Sequence, residues 1–217
     1  MEYKLVADSC CELVPALTGP LNARTAPLTI LLDDVSYVDD DSMDIPRFLA
    51  AMKQSRHIPK SACPAPDVWA RLFLEAKEVF AVTLSSKLSG SYNSAMVARE
   101  MVESEHPGHR VHVFDSLSAS AGEIAVGIRI KECAEAGMAF DEIVREVTAF
   151  IHGMKTYFIV ENLDTLIKAG RMGRLTGYVA SAMSLRPIMM GDAGEIKLYE
   201  KARGSVRAFT RLVDIIG

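Results

Sequence analysis

The apolar residues of this chain come in short runs that stop abruptly at polar clusters. Residues 3–7 (YKLVA) break into Asp8-Ser9-Cys10-Cys11-Glu12. Residues 79–84 (VFAVTL) break into Ser85-Ser86-Lys87-Leu88-Ser89-Gly90-Ser91, and residues 111–114 (VHVF) into Asp115-Ser116-Leu117-Ser118-Ala119-Ser120. Short apolar runs bounded by turn residues predict buried strands. Helical spacing follows the second and third clusters, at 92–101 and 122–136. Parallel strands joined by crossover helices would bring all three polar strand ends to one sheet edge. Open α/β sheets bind ligands at such an edge, where backbone N–H groups and hydroxyls converge on an anion.

The intervening segments follow the same logic. Asp8 or Ser9 caps a short helix reaching residue 17. Residues 24–32 (RTAPLTILL) read as one strand with Pro27 near its start, and 35–38 as a hairpin arm after Asp33-Asp34. Asp39, Asp40, Asp41, Ser42 and Asp44 form an acidic turn ahead of a helix from Pro46 to 52 or 54. That turn lacks the spacing, glycine and closing glutamate of a calcium loop. Residues 57–67 (HIPKSACPAPD) are a proline-spaced, rigid, extended loop carrying Ser61 and Cys63. A helix with Val68, Trp69, Leu72, Phe73 and Ala76 on one face follows it.

Past residue 140 a helix to 151 and a strand at 156–160 are expected, then a helix at 163–169 closed by Gly170. An apolar helix at 178–185, an extended 186–190, a turn at 191–194 and an alternating strand at 195–199 come next. Residues 205–216 form an amphipathic helix that is still in progress where the sequence stops. The best boundary lies near residue 150, dividing an α/β region, 1–150, from an α+β region, 151–217, that is expected to be incomplete.

Composition narrows the function classes. The 217 residues are 49% hydrophobic and 24% charged, with net charge −4 and both signs interspersed. This pattern points away from nucleic acid and from integral membrane association. No stretch approaches the ~18 apolar residues that span a bilayer, and 1–7 lacks the basic and apolar regions of a signal peptide. A cytoplasmic protein is expected. Its four cysteines (Cys10, Cys11, Cys63, Cys133) are expected to be reduced. No Cys/His spacing indicates a metal site.

The serine-rich turn has three chemical readings. Ser89-Gly90-Ser91 is neither GxGxxG nor GxxxxGK[ST], so a nucleotide cofactor is not expected. Ser85-Ser86-Lys87 resembles a Ser/Lys pair without a GxSxG elbow, and Cys63 has no base assigned to it. A serine or cysteine hydrolase or transferase acting on a small carboxylate or acyl substrate is therefore the rival reading. Neutral hydroxyls with backbone N–H groups, in contrast, hold a carboxylate without reacting; each charge-assisted bond contributes about 1.5–3 kcal/mol. Passive anion recognition fits best. Met183, Met189 and Met190 lie close together and suit either an adaptable ligand wall or ordinary core filling.

Several stretches occur in an order that resembles a known family: LVADSCCEL, APLTILLDDVSYVDD, IPKSACPAPD, TLSSKLSGSYNSA, VFDSLSASAG, LIKAGRMGR, SLRPIM with DAGEI, and KARG. Together they resemble the DegV family of fatty-acid-binding proteins, which includes acyl-carrying partners of bacterial fatty acid kinases. The resemblance runs over about residues 1–211. It implies an α/β fold: a small N-terminal parallel-sheet α/β domain, a C-terminal α+β domain, and a long-chain fatty acid between them. The carboxylate would meet the hydroxyls of Ser61 and Ser86, beside the Ser89-Gly90 turn. Arg171 matches an arginine of the family's working surface, while a helix-terminal cation is the equally weighted alternative. Where the family has Thr-Ser-Gln-Pro this chain has Ser61-Ala62-Cys63-Pro64, which keeps a hydroxyl and loses an amide. The family also extends some tens of residues beyond Gly217, where a head-group histidine is usual. The implied protein has no catalytic residue, cofactor or metal. It carries its fatty acid to a separate fatty acid kinase subunit, which forms the acyl phosphate.

Overall fold

The computed structural model describes residues 2–160, 163, 166–167, 169–172 and 185–217. The chain divides into two compact units, Met1–Met154 and Lys155–Gly217.

In the first unit the strands are β1 (Lys4–Asp8), β2 (Ala23–Ala26), β3 (Thr29–Leu32), β4 (Val35–Val38), β5 (Lys60–Ala62), β6 (Glu78–Thr83) and β7 (Arg110–Asp115). The helices are α1 (Pro15–Thr18), α2 (Ile45–Gln54), α3 (Pro66–Phe73), α4 (Ser91–Glu105), α5 (Ala121–Glu135) and α6 (Phe140–Gly153). Strands β1, β2, β6 and β7 form a parallel sheet of order β2-β1-β6-β7.

Both faces of this sheet are covered, which is why β6 is apolar without a break from Val79 to Val82. Leu5, Ala7, Phe80, Val82 and Phe114 point to one face and pack with Val126 and Ile130 of α5 and Phe140, Ile143 and Val147 of α6. Val6, Val79, Ala81, Val111 and Val113 point to the other and pack with Trp69 and Phe73 of α3 and Ala95 and Ala98 of α4. Phe80 stacks on Phe140 with ring centroids 4.6 Å apart. In α6 the residues Ile143, Val147 and Ile151, four apart in sequence, form the buried stripe that holds the helix to the sheet.

Two expectations for this region change. Residues 24–32 are not one strand but two in different sheets. Pro27 has no N–H to offer, and the next N–H, that of Leu28, is taken by Ser9 Oγ at 3.0 Å. The chain thus leaves the parallel sheet after Ala26, and β3 joins an antiparallel sheet of order β4-β3-β5. The segment around Ser61 is likewise more than a loop, because Lys60–Ala62 pairs with β3, Ser61 opposite Ile30. Asp8 caps a short 3-10 turn, Ser9–Cys11, instead of a helix to residue 17. Asp44 caps α2 by accepting from Arg47 N at 3.0 Å.

In the second unit β8 (Thr156–Ile159), β9 (Leu185–Asp192) and β10 (Glu195–Arg203) form an antiparallel sheet of order β10-β9-β8. Ala193 and Gly194, both at positive φ (48° and 85°), make the two-residue connection between β9 and β10. Leu163, Met172 and Met189 form a small core here with Phe158, Ile196 and Leu198 around it. Helix α7 (Ser205–Ile216) packs on the same sheet, burying Ala208. The helices expected at 163–169 and 178–185, with Met183, fall largely outside the described residues; Leu185 itself opens β9.

Candidate functional site

The strand order β2-β1-β6-β7 reverses direction between β1 and β6, where connections leave to opposite sides and open a crevice beyond the strand ends. Asp8 closes β1 at this point and is fully buried. Its Oδ1 accepts from Cys10 N at 3.1 Å. Its Oδ2 accepts from Leu84 N at 3.0 Å and from the hydroxyl of Ser91 at 2.6 Å. One carboxylate oxygen thus holds the residue before the serine-rich turn and the residue after it. Burial raises the Asp8 carboxyl above its ordinary range, against the pull of these bonds.

Within the turn, Ser85 N donates to Ser118 O at 2.9 Å, and Leu88 N and Ser89 N donate to Ser85 O at 2.9 and 3.1 Å. The hydroxyl of Ser85 accepts from Lys87 N (3.2 Å) and that of Ser89 from Ser91 N (3.2 Å). Ser86 N donates to Asp115 Oδ1 at 3.1 Å, and the same oxygen takes Leu117 N at 3.1 Å. The Asp115 carboxylate therefore ties the third strand-end cluster to the second. Among the described residues, the hydroxyls of Ser86 and Ser61 form no hydrogen bond to another protein group.

The loop after β5 lies against the same turn. A Cβ on Gly90 would meet Cys63 Sγ at 3.2 Å, which measures how closely the two segments approach. The hydroxyl of Ser94, one turn into α4, donates to the carbonyl of Pro64 at 2.5 Å. Ser61 stands two residues before Cys63, so the first unit carries Ser61, Ser86, Ser89 and Gly90 on two adjoining segments. Arg171 belongs to the second unit, where it is exposed and its Nη1 donates to Ala169 O at 2.7 Å. Gly170 beside it has a φ of 72°.

Among the described residues no hydrogen bond joins a histidine ring to Ser61, Ser86 or Cys63. Ser55, His57 and Asp33 do come together, but Asp33 sits in the middle: Ser55 Oγ donates to Asp33 Oδ1 (2.9 Å) and His57 Nδ1 meets the same oxygen (2.6 Å). His57 meets Ser55 through its backbone, the N–H donating to Ser55 Oγ at 2.9 Å, while its ring nitrogen is committed to Asp33, so the ring is not placed to take the serine's proton. His112 packs edge-on against Phe114 at 4.5 Å, and burial, then Arg99, pushes it down to about 4. Burial also raises the Cys10 and Cys11 thiols above their ordinary range, which makes them poor nucleophiles. Among the described residues no group of three His, Cys, Asp or Glu side chains could hold a metal.

One participant escaped the sequence reading. Glu123, on the first turn of α5, is fully buried and in hydrogen-bond contact with Asp8. Its Oε1 accepts from Ser120 N at 3.2 Å. The signal was available: Ser120-x-x-Glu123 is the spacing of a capping box. It marks a helix start, not a second acid behind Asp8.

A family model described as an uncharacterised protein of the DegV family matches residues 2–217. The chain belongs to the DegV family. A DegV domain-containing protein of Streptococcus pneumoniae is 36% identical over 218 residues, covering 99% of this chain and 77% of the relative. A crystal structure of a DegV family protein from Ruminococcus gnavus, with vaccenic acid, superimposes with a TM-score of 0.92 at 37% identity, covering 100% of this chain and 77% of that one. The Streptococcus pneumoniae Fatty Acid Kinase (Fak) B3 protein loaded with linoleic acid superimposes with a TM-score of 0.88 at 35% identity, covering 99% and 79%. The DegV resemblance and the α/β class read from sequence are both met by these likenesses. No helix among the described residues is long and apolar enough to cross a membrane.

Proposed function

We propose that this DegV chain binds a long-chain fatty acid, with its carboxylate at the hydroxyls of Ser61 and Ser86 beside the Ser89-Gly90 turn. The observation that carries the reading is the pair of uncommitted hydroxyls on two segments locked together by the Cys63–Gly90 approach and the Ser94–Pro64 bond. Neutral donors at the end of a parallel sheet suit an anion that is held and not attacked. The bound fatty acids of the Ruminococcus and Streptococcus relatives support the same ligand class.

Burying a tail of more than ten methylenes at ~0.8 kcal/mol each supplies most of the affinity, before ordering costs. The hydroxyls then orient the head group. The chain acts as a cytoplasmic carrier and presents its fatty acid to a separate kinase subunit that forms the acyl phosphate. The Fak B3 likeness supports that partnership, and the family resemblance alone assigns Arg171 to it. Lipid extraction of the purified protein followed by mass spectrometry tests the reading. An acyl chain in the extract, and binding of added palmitate or oleate, is the expected result; neither an extracted acyl chain nor binding overturns it. Replacing Ser86 with Ala lowers palmitate affinity by about 1–3 kcal/mol, and unchanged affinity removes Ser86 from the site.

A further inference from the structure

Asp8 and Glu123 are two buried carboxyls in hydrogen-bond contact directly behind the serine-rich turn. Two ionised carboxylates touching out of water repel each other and lose their hydration, so such a site keeps a proton. The hydrogen bonds say where it lies. Asp8 already accepts from Cys10 N, Leu84 N and the Ser91 hydroxyl, a set of donors that favours its ionised form. Glu123 accepts only from Ser120 N, and its buried Oε2 is met by no donor among the described residues. A proton on Glu123, donated to Asp8, replaces the repulsion between the two touching carboxyls with a hydrogen bond.

We infer that Asp8 and Glu123 share one proton and together position the turn from Leu84 to Ser91, so that loss of that proton loosens the turn and weakens binding there. This rests on the fatty-acid reading above and adds to it a regulation by pH. Asp8 acts as a positioning residue: it reaches both flanks of the turn while Ser86 faces the ligand.

The charges around the pair favour keeping the proton. Glu12, from the same 3-10 segment, takes a hydrogen bond from the Ser120 hydroxyl and adds negative charge near Glu123. Cys10 and Cys11 stand beside the pair as neutral thiols, and Asp39 acts on Cys10. From the end of β6 and the start of α4 the pair meets the Leu84 N–H and the Ser91 hydroxyl, and the charges that act most strongly on Glu123 are those of Asp8 and Glu12. Burial and then the Asp8 charge hold Glu123 well above the ordinary carboxyl range. Both folded values are raised above the unfolded ones. The contribution of the pair to stability is thus present at low pH and is lost as pH rises through its raised range.

Two measurements on the full chain test this. Infrared spectroscopy of the ligand-free protein at neutral pH should show a protonated-carboxyl C=O band that disappears in Glu123→Gln. Palmitate affinity between pH 6.5 and 9.5 should fall about tenfold more in the wild type than in Glu123→Gln, whose amide keeps a hydrogen toward Asp8 at every pH. Taking the ratio of the two proteins at each pH cancels the titration of palmitate itself. Asp8→Asn should bind weakly across the whole range, and circular dichroism checks that it folds. Absence of the infrared band, or identical pH profiles for wild type and Glu123→Gln, overturns the inference. Failure of the wild type to bind palmitate at any pH overturns the fatty-acid reading and the binding half of the inference, while the infrared band still decides the proton.

Discussion

The hydroxyl of Ser94 donates to the carbonyl oxygen of Pro64 at 2.5 Å, and both residues are buried. Pro64 follows Cys63 in the segment that carries Ser61, and Ser94 lies one turn after Gly90. This bond therefore joins the two stretches from which the candidate head-group hydroxyls come. Removing the donor leaves the Pro64 carbonyl buried and unpaired, at a cost of about 1–2 kcal/mol. Ser94→Ala should lower the unfolding free energy measured in urea by that amount and weaken palmitate binding several-fold. A stability loss with undiminished affinity would show that the bond serves the fold alone.

Gly90 and Gly122 offer a matched pair of tests. A Cβ at Gly90 meets Cys63 Sγ at 3.2 Å, and that thiol ends a half-buried side chain able to give by a few tenths of an ångström. A Cβ at Gly122 meets Ser118 Oγ at 2.0 Å and Ser118 Cβ at 2.6 Å. Ser118 is buried and its N–H is committed to Ser116 Oγ at 3.1 Å, so it cannot step aside. Gly122→Ala should cost about 2–3 kcal/mol in denaturant titration, and Gly90→Ala less than about 1 kcal/mol. Adding Ser118→Gly to Gly122→Ala, or Cys63→Ala to Gly90→Ala, should restore part of each loss. Equal costs for the two single variants would contradict these geometries.

The parts of the fold readable in the sequence are those governed by local pattern. The strands at 79–84 and 111–114 announce themselves because both faces are buried and nearly every position is apolar, Thr83 and His112 excepted. The alternation with helices fixes a parallel sheet, and with it the common edge of Asp8, Ser85 and Asp115. What stayed hidden depends on partners distant in the chain. Nothing local says that Leu28 N will go to Ser9 Oγ, 19 residues earlier, or that Lys60–Ala62 will find β3. Those two pairings split one expected strand and turned an expected loop into another. Glu123 was illegible for the same reason: a capping glutamate is ordinarily exposed, and only the packing of α5 against β1 buries it against Asp8.

His112 gives the fold an acid-sensitive element separate from the Asp8–Glu123 pair. It sits on β7 opposite Phe80 and edge-on to Phe114, so protonation would place a charge against an aromatic cluster. Burial, reinforced by Arg99 and opposed by Asp141 and Glu103, pushes its folded value down to about 4 from an ordinary 6.5. The folded state then binds fewer protons than the unfolded chain between those limits, so stability is full above the ordinary value and declines as pH falls toward the lower one. The side chain is partly exposed, which screens the effect, and about 1–2 kcal/mol of stability is expected to be lost over the window. Urea unfolding of the wild type and His112→Gln at pH 7, 5.5 and 4 measures it. The wild type should lose more than the variant as pH falls, with the difference developing below pH 6.5. Parallel losses in the two proteins would mean that His112 is as easily protonated in the folded chain as in the unfolded one.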